Sequence, residues 1–386
     1  MQLRKQLPRL SKPLNKTLTS QFHSTSNAKS FIPRRFMSSD ALQQNYSAVM
    51  FPGQGCQAVG MGKDLFENYQ SARDVFEEAD EALGFPLSKL IFEGDQVTLT
   101  QTENAQPAIL TTSIATLRVL EHEYGFNMEK NAKYAMGHSL GEFSALVATG
   151  SLSLSDAVRL VRTRGQAMHD CVVNLNKPIS MSALVITKSN LNRVFDVVHQ
   201  VNTQLKNTET VEVANYNSSF QCVLSGTKEG VNIAARELKR LRIALKAVDL
   251  PVSAPFHCSL MKPARQPLED ALNNVNFSVP SVPVVFNVWG KPIHEVTPQA
   301  DITRVIPQLM IEQVDHPVRW FESVQFVKKQ GISNFLSIGP GKVLANLAKK
   351  DFPLDWIRSV SNSKECQLEF GAMAQAQSEV LKAATA

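Results

Sequence analysis

The sequence predicts an α/β fold, a mostly parallel sheet flanked by helices, interrupted by a smaller ferredoxin-like unit. Three observations predict it. Short apolar runs such as Tyr46–Phe51 and Tyr134–Met136 alternate with long stretches of helical period. From Lys177 to about Val248 the order becomes strand, helix, strand, strand, helix, strand. The longer rhythm then resumes, so the smaller unit reads as an insertion. The expected division is 1–40 as a leader, 45–176 with 248–365 as the large domain, 177–247 as the small domain and 366–386 as a C-terminal tail.

Composition excludes several function classes. The chain has 386 residues, 43% of them hydrophobic, enough for a large core. No uncharged apolar run approaches the roughly 18 residues of a membrane span, so none is expected. Before Asp40 there is no acidic residue, whereas Arg4, Lys5, Arg9, Lys12, Lys16, Lys29, Arg34 and Arg35 are basic. That composition predicts a mitochondrial transit peptide cleaved near Arg34–Ser38, and hence a matrix protein. A basic arm for nucleic acid is the alternative. Removing these eight charges from the formal +5 leaves −3, so the body of the chain gives no support to nucleic-acid binding. The five cysteines are odd in number and lack a C-x-x-C pair, which argues against a disulfide framework or a zinc site. Cys258 reads as a small packing residue.

The first strand, Tyr46–Phe51, leads into Pro52-Gly53-Gln54-Gly55-Cys56-Gln57-Ala58. A dinucleotide fingerprint can be forced onto it, but Pro52 and the continuing glycines Gly60 and Gly62 occupy the place where a helix should have begun. A loop presenting backbone N–H groups fits better. Helical patterns cover Lys63–Ala82 and Gln106–Tyr124. Next, Tyr134-Ala135-Met136-Gly137-His138-Ser139-Leu140-Gly141-Glu142 reads as strand, sharp turn and helix, the form of a nucleophile elbow. Gly137 and Gly141 suit it because helix and strand approach too closely for Cβ atoms. A serine that merely caps a helix is the bland alternative.

Ser153 is the expected cap of a helix running through Ala157–Met168. On that helix Ala157, Leu160, Val161, Arg164 and Met168 share one stripe, so Arg164 points into the core. A guanidinium there needs a partner, either an internal carboxylate or the carboxylate of a substrate. In the inserted unit the expected elements are Ile179–Ile186, Ser189–Gln204, Val211–Asn215, Gln221–Ser225, Lys228–Leu241 and Ile243–Val248. The two middle strands should join at Asn217-Ser218-Ser219. His257 follows in a Pro-rich turn that could present a base, or could simply be hydrogen-bonded in the core. Further on, Gly339-Pro340-Gly341-Lys342 lacks the spacing of a P-loop.

Taken together, Phe51-Pro52-Gly53-Gln54-Gly55, Gly137-His138-Ser139-Leu140-Gly141-Glu142, Arg164-Gly165, Phe256-His257, Gln313 with Pro317-Val318-x-Trp320, and Ile338-Gly339-Pro340-Gly341 resemble the malonyl-CoA:acyl carrier protein transacylase family. The resemblance spans about residues 46–350. It implies an α/β-hydrolase-like large domain with an inserted ferredoxin-like small domain and an active site in the cleft between them. It further implies Ser139 as nucleophile, His257 as base, the backbone carbonyl of Gln313 as orienter of His257, and the backbone N–H groups of Gln54 and Leu140 as oxyanion hole. Arg164 would clasp the malonyl carboxylate, and Phe256 would favour malonyl over methylmalonyl. Malonyl-CoA is then a substrate and no cofactor or metal is expected; the partner is an acyl carrier protein, with no nucleic acid, no membrane span and a monomeric chain.

Asp315 is a rival orienter of His257, and Glu142 reads as a complement to the helix dipole. Arg236, Lys239, Arg240 and Arg242 are candidates for meeting an acidic carrier protein, or a solvated helix face. An esterase built on the same elbow, or a scaffold that only binds the carrier protein, are the competing functions.

Overall fold

A computed structural model describes residues 48–372 apart from 176, 188, 189 and 207. The leader, the start of the first strand at Tyr46 and Ser47, and the tail beyond 372 lie outside the described residues. Among the described residues ten strands form two sheets. The larger has the order β10-β9-β1-β2-β7-β8, with β1 Ala48–Phe51, β2 Tyr134–Gly137, β7 Val284–Phe286, β8 Lys291–Pro292, β9 Asn334–Ile338 and β10 Trp356–Val360. All neighbours run parallel except β7 and β8.

The reason for a sheet covered on both faces is legible in β1. Its side chains alternate by the twofold period of a strand, Val49 and Phe51 entering one apolar cluster and Ala48 and Met50 the other. All four are fully buried. Such a strand has no water-facing side, which is the signature of a parallel sheet packed by helices above and below.

Helices begin and end where local chemistry directs. The expected helix over Lys63–Ala82 is two helices, Lys63–Asn68 and Gln70–Leu83, broken at Tyr69, whose backbone is extended. The second long helix starts earlier than the apolar pattern, at Thr102, and continues to Tyr124 through Pro107. A proline there cannot donate to the carbonyl of Glu103. Arg162 supplies the missing donor, its Nη1 lying 2.8 Å from the Glu103 oxygen. Ser153 caps the Leu154–Val173 helix as expected, accepting from Asp156 N–H at 3.0 Å. Residues 363–372 are helical and bury Cys366 and Phe370, so the chain contributes to the core beyond 365.

The smaller sheet has the order β4-β5-β3-β6, formed by β3 Ile179–Ile186, β4 Val211–Ser218, β5 Gln221–Thr227 and β6 Ala244–Asp249. Every pair is antiparallel, and with the Leu191–Gln204 and Lys228–Arg240 helices this is ferredoxin-like order. The β4–β5 turn is tighter than expected: β4 runs on through Ser218, which pairs with Gln221, leaving Ser219-Phe220 as the turn. Asp351 holds that turn by accepting from Ser219 N–H and Oγ.

The small sheet is tied to the segment that follows Gln313. The open edge of β4 pairs with Val318, Tyr216 N–H donating to Val318 O at 2.9 Å and Val318 N–H to Ala214 O at 2.8 Å. One face of the small sheet is covered by its two helices. The other, with Met181, Ala214 and Val223, packs on Leu250, Val252 and Phe256. No helix among the described residues is long and apolar enough to cross a membrane.

Candidate active site

Four adjacent strands of the large sheet, β9, β1, β2 and β7, end on one side, and each is followed by a loop that reaches the same crevice. This is where open parallel sheets place ligands. The loop after β1 carries Gln54, that after β2 Ser139, that after β7 Asn287, and that after β9 leads to Val343. A cavity of about 850 Å³ opens there, lined among others by Gln54, Ser139, Leu140, Arg164, Phe256 and His257. Met181, Ala183 and Val223 of the small sheet form its opposite wall.

The elbow after β2 is strained as its sequence requires. Ser139 has φ +51°, a left-handed conformation that non-glycine residues adopt at a cost. A Cβ on Gly137 would lie 1.9 Å from the backbone of Gly141, and one on Gly141 would lie 2.1 Å from Phe51 O. Neither position has room for a side chain. The elbow presents Ser139 Oγ 2.7 Å from His257 Nε2. His257 is also held at positive φ, +58°, and is buried.

On its far side His257 Nδ1 donates to the backbone carbonyls of Gln313 at 2.9 Å and His316 at 3.1 Å. That leaves Nε2 unprotonated and able to accept from the serine hydroxyl. Burial, then the nearby Arg164 charge and His138, push the imidazole down to about 3, so it stays neutral at ordinary pH. Asp315 does not orient it. Its carboxylate is taken by Arg265, at 2.5 Å, and by His316 Nδ1 at 3.1 Å.

Arg164 is 2% exposed and reaches the nucleophile: Nη2 lies 3.2 Å from Ser139 Oγ and 2.9 Å from Gln313 Oε1, and Nη1 lies 2.7 Å from Gln106 Oε1. All three partners are neutral oxygens. No carboxylate among the described residues lies within 4.0 Å of it, so the internal salt bridge is absent and the charge remains available to a ligand. Burial lowers its pKa to about 10, opposed by the negative charge of Glu142.

Gln54 and Leu140 line the cavity, and their backbone N–H groups have no acceptor among the described residues. The Gln54 side chain is fixed by Thr102 Oγ1 at 3.0 Å. Phe256 lines the cavity beside His257. Cys258 is buried, with burial pushing its thiol up to about 12, as befits a packing residue.

Two residues outside the expected set complete the arrangement. Asn287 accepts from Ser139 N–H through Oδ1 at 2.7 Å and donates through Nδ2 to Gly137 O at 2.6 Å, bracing the elbow from both sides. Glu142 does more than complement a dipole. It is fully buried, Oε2 accepting from Asn287 N–H at 2.5 Å and Oε1 from Gln313 Nε2 at 3.1 Å. Burial pushes its carboxyl up to about 8. The clue to Asn287 was a polar residue directly after the apolar run Val284–Phe286, at the ligand-facing end of a parallel strand. Among the basic residues on the small unit, Arg236 and Arg240 pair with Glu229 and Glu237 of their own helix. No group of three His, Cys, Asp or Glu side chains among the described residues could hold a metal ion.

A hydroxyl bonded to a neutral imidazole, two free N–H groups and an unpaired cation can together attack a carbonyl, hold its oxyanion and bind an acidic acyl group. Fold and site thus define an acyltransferase.

Known proteins agree with this class. Residues 49–382 match the acyl transferase domain family. The chain is 43% identical over 303 residues to the malonyl CoA-acyl carrier protein transacylase of Bacillus subtilis strain 168, covering 78% of this chain and 89% of that one. Against the Escherichia coli K12 protein of the same name it is 37% identical over 304 residues, 78% and 92% of the two chains. The crystal structure of acyl-carrier-protein-S-malonyltransferase from Bartonella henselae is similar with a TM-score of 0.76 at 39% identity, over 85% of this chain and 99% of that one. A malonyl-transacylase solved in complex with a type II PKS acyl-carrier protein gives 0.75 at 33% identity, over 84% and 99%. The chain belongs to the acyl transferase family and, within it, to the malonyl-CoA:acyl carrier protein transacylases.

Proposed function

We propose that the protein moves the malonyl group from malonyl-CoA to the phosphopantetheine thiol of an acyl carrier protein through a malonyl ester on Ser139. One observation carries the reading: Ser139 Oγ lies 2.7 Å from an imidazole nitrogen and 3.2 Å from a buried guanidinium that lacks a counter-ion within reach. In malonyl thioesters a single methylene separates the carboxylate from the carbonyl under attack. A cation that binds the carboxylate must therefore sit within a few ångströms of the nucleophile, and Arg164 does.

In the first half, His257 Nε2 takes the Ser139 proton as Oγ bonds to the thioester carbon. The carbonyl oxygen becomes an oxyanion accepting from the N–H groups of Gln54 and Leu140. Collapse breaks the carbon–sulfur bond, and the departing CoA sulfur receives the proton from His257. In the second half the carrier-protein thiol gives its proton to His257, attacks the ester and releases Ser139 as a hydroxyl. One thioester replaces another, so no cofactor is required. Phe256, next to His257 in the chain and lining the cavity, would limit bulk on the methylene.

Incubation with labelled malonyl-CoA should leave one label per chain, on a peptide containing Ser139, and none in Ser139→Ala. Label on another residue, or none on wild type, would end the reading. Residues 1–40, basic and free of acids before Asp40, support a mitochondrial matrix location and a role in fatty acid synthesis there. Fused to a fluorescent protein, they should carry it into mitochondria; diffuse fluorescence would reject that location.

A further inference from the structure

Ser139, His257 and Arg164 each trace back, within two hydrogen bonds, to the buried carboxyl of Glu142. On one side Glu142 Oε2 holds the backbone N–H of Asn287, whose side chain brackets the elbow at Gly137 O and Ser139 N–H. On the other side Glu142 Oε1 holds Gln313 Nε2. That same amide donates to Ser139 O at 2.9 Å and accepts from Arg164 Nη2, while the Gln313 backbone carbonyl accepts from His257.

The polarity of these contacts is fixed. Arginine only donates and a backbone carbonyl only accepts, so Gln313 must turn Oε1 to Arg164 and Nε2 to Ser139 O. Nε2 is then what faces Glu142, and the other neighbour of Glu142 is the Asn287 N–H, also a donor. Above its raised pKa of about 8 Glu142 is a carboxylate, which accepts on both oxygens at once. An amide of the same shape cannot, because one end carries hydrogens against a donor. Two residues at strained positive φ, Ser139 and His257, also require surroundings that over-determine them.

We propose that Glu142 is a positioning residue: by accepting from Asn287 and Gln313 together, it fixes Ser139, His257 and Arg164 relative to one another without touching the substrate. The inference rests on the malonyl-transfer reading and deepens it. The one charged side chain acting on Glu142 is Arg164, from the Leu154–Val173 helix; Asn287 and Gln313, its hydrogen-bonding neighbours from the other elements, are neutral.

The test is Glu142→Gln in the full chain, assayed at about pH 8.5 with malonyl-CoA and acetyl-CoA as donors to an acyl carrier protein. Active sites are counted with a serine-reactive fluorophosphonate, so that misfolded protein drops out of kcat. Per active site, kcat for malonyl transfer should fall about 10- to 100-fold with KM within about threefold, and the ratio of malonyl to acetyl transfer should fall as Arg164 loses its fixed partner. A per-site kcat within twofold of wild type would overturn the proposal, as would equal loss for both donors. If Glu142→Gln does not fold, Gln313→Met keeps the backbone carbonyl for His257 while removing the amide. It should lower the same ratio, and an unchanged ratio would overturn the proposal. Wild type assayed beside the variants separates the two ideas, because a wild type that transfers no malonyl group sinks the proposed function itself.

Discussion

Arg164 shows how much one residue can decide. It is held by three neutral oxygens and keeps its full charge unpaired beside the nucleophile. A charge-assisted pair with a carboxylate contributes on the order of 1.5–3 kcal/mol, worth about 10- to 150-fold in selection. Arg164→Ala should therefore lower malonyl transfer by about that factor while acetyl transfer persists or rises, measured as kcat/KM for the two thioesters in parallel. Equal loss for both would mean that the guanidinium serves only structure. The position was legible from helical spacing alone, because a basic residue on an apolar stripe stands out. The partner was not, since an internal acid and a substrate acid leave the same trace in a sequence. Asn287 and Glu142 were hidden for a related reason: their importance lies in which donors face them across 145 residues of chain.

Among the elements, the strand–elbow–helix at β2 was readable nearly residue by residue, because its glycines are demanded by contact and not by preference. Gly137→Ala should abolish acyl-enzyme formation and lower the thermal midpoint, since its Cβ would sit 1.9 Å from the Gly141 backbone and something must shift. A fully active Gly137→Ala would show that the elbow is looser than its geometry. The helix boundaries were less legible. Tyr69 interrupts an unbroken helical pattern without glycine or proline to announce it. Thr102–Ala105 precede the apolar stretch yet join its helix, since Pro107 costs one hydrogen bond that Arg162 makes good. In the smaller sheet the order of elements was clear from length and alternation, whereas the tight Ser219-Phe220 turn depends on Asp351, a residue more than 130 positions away.

For the whole molecule, buried titratable groups set opposing limits on stability. His257 falls to about 3 from an ordinary 6.5, and His138 is lowered as well, both chiefly by burial. The unfolded chain binds those protons first, so stability declines as pH drops below about 6.5. Glu142 is raised from 4.5 to about 8, again by burial, so the folded chain binds that proton more tightly and stability declines as pH rises from 4.5 to 8. The thermal midpoint should peak near pH 6.5 and sag toward 8. Calorimetry from pH 5 to 9 checks this, and in Glu142→Gln the alkaline sag should vanish. Persistence of the sag would assign it to another group.

The strand edge of β4 that is bonded to Val318 also bears on the site. The same short segment supplies the His316 and Gln313 carbonyls behind the base, so the strand pairing and the imidazole are anchored on one stretch of chain. On the proposed reading, donor and carrier thiol reach Ser139 through the cavity beside that stretch, and the ester waits there between the two.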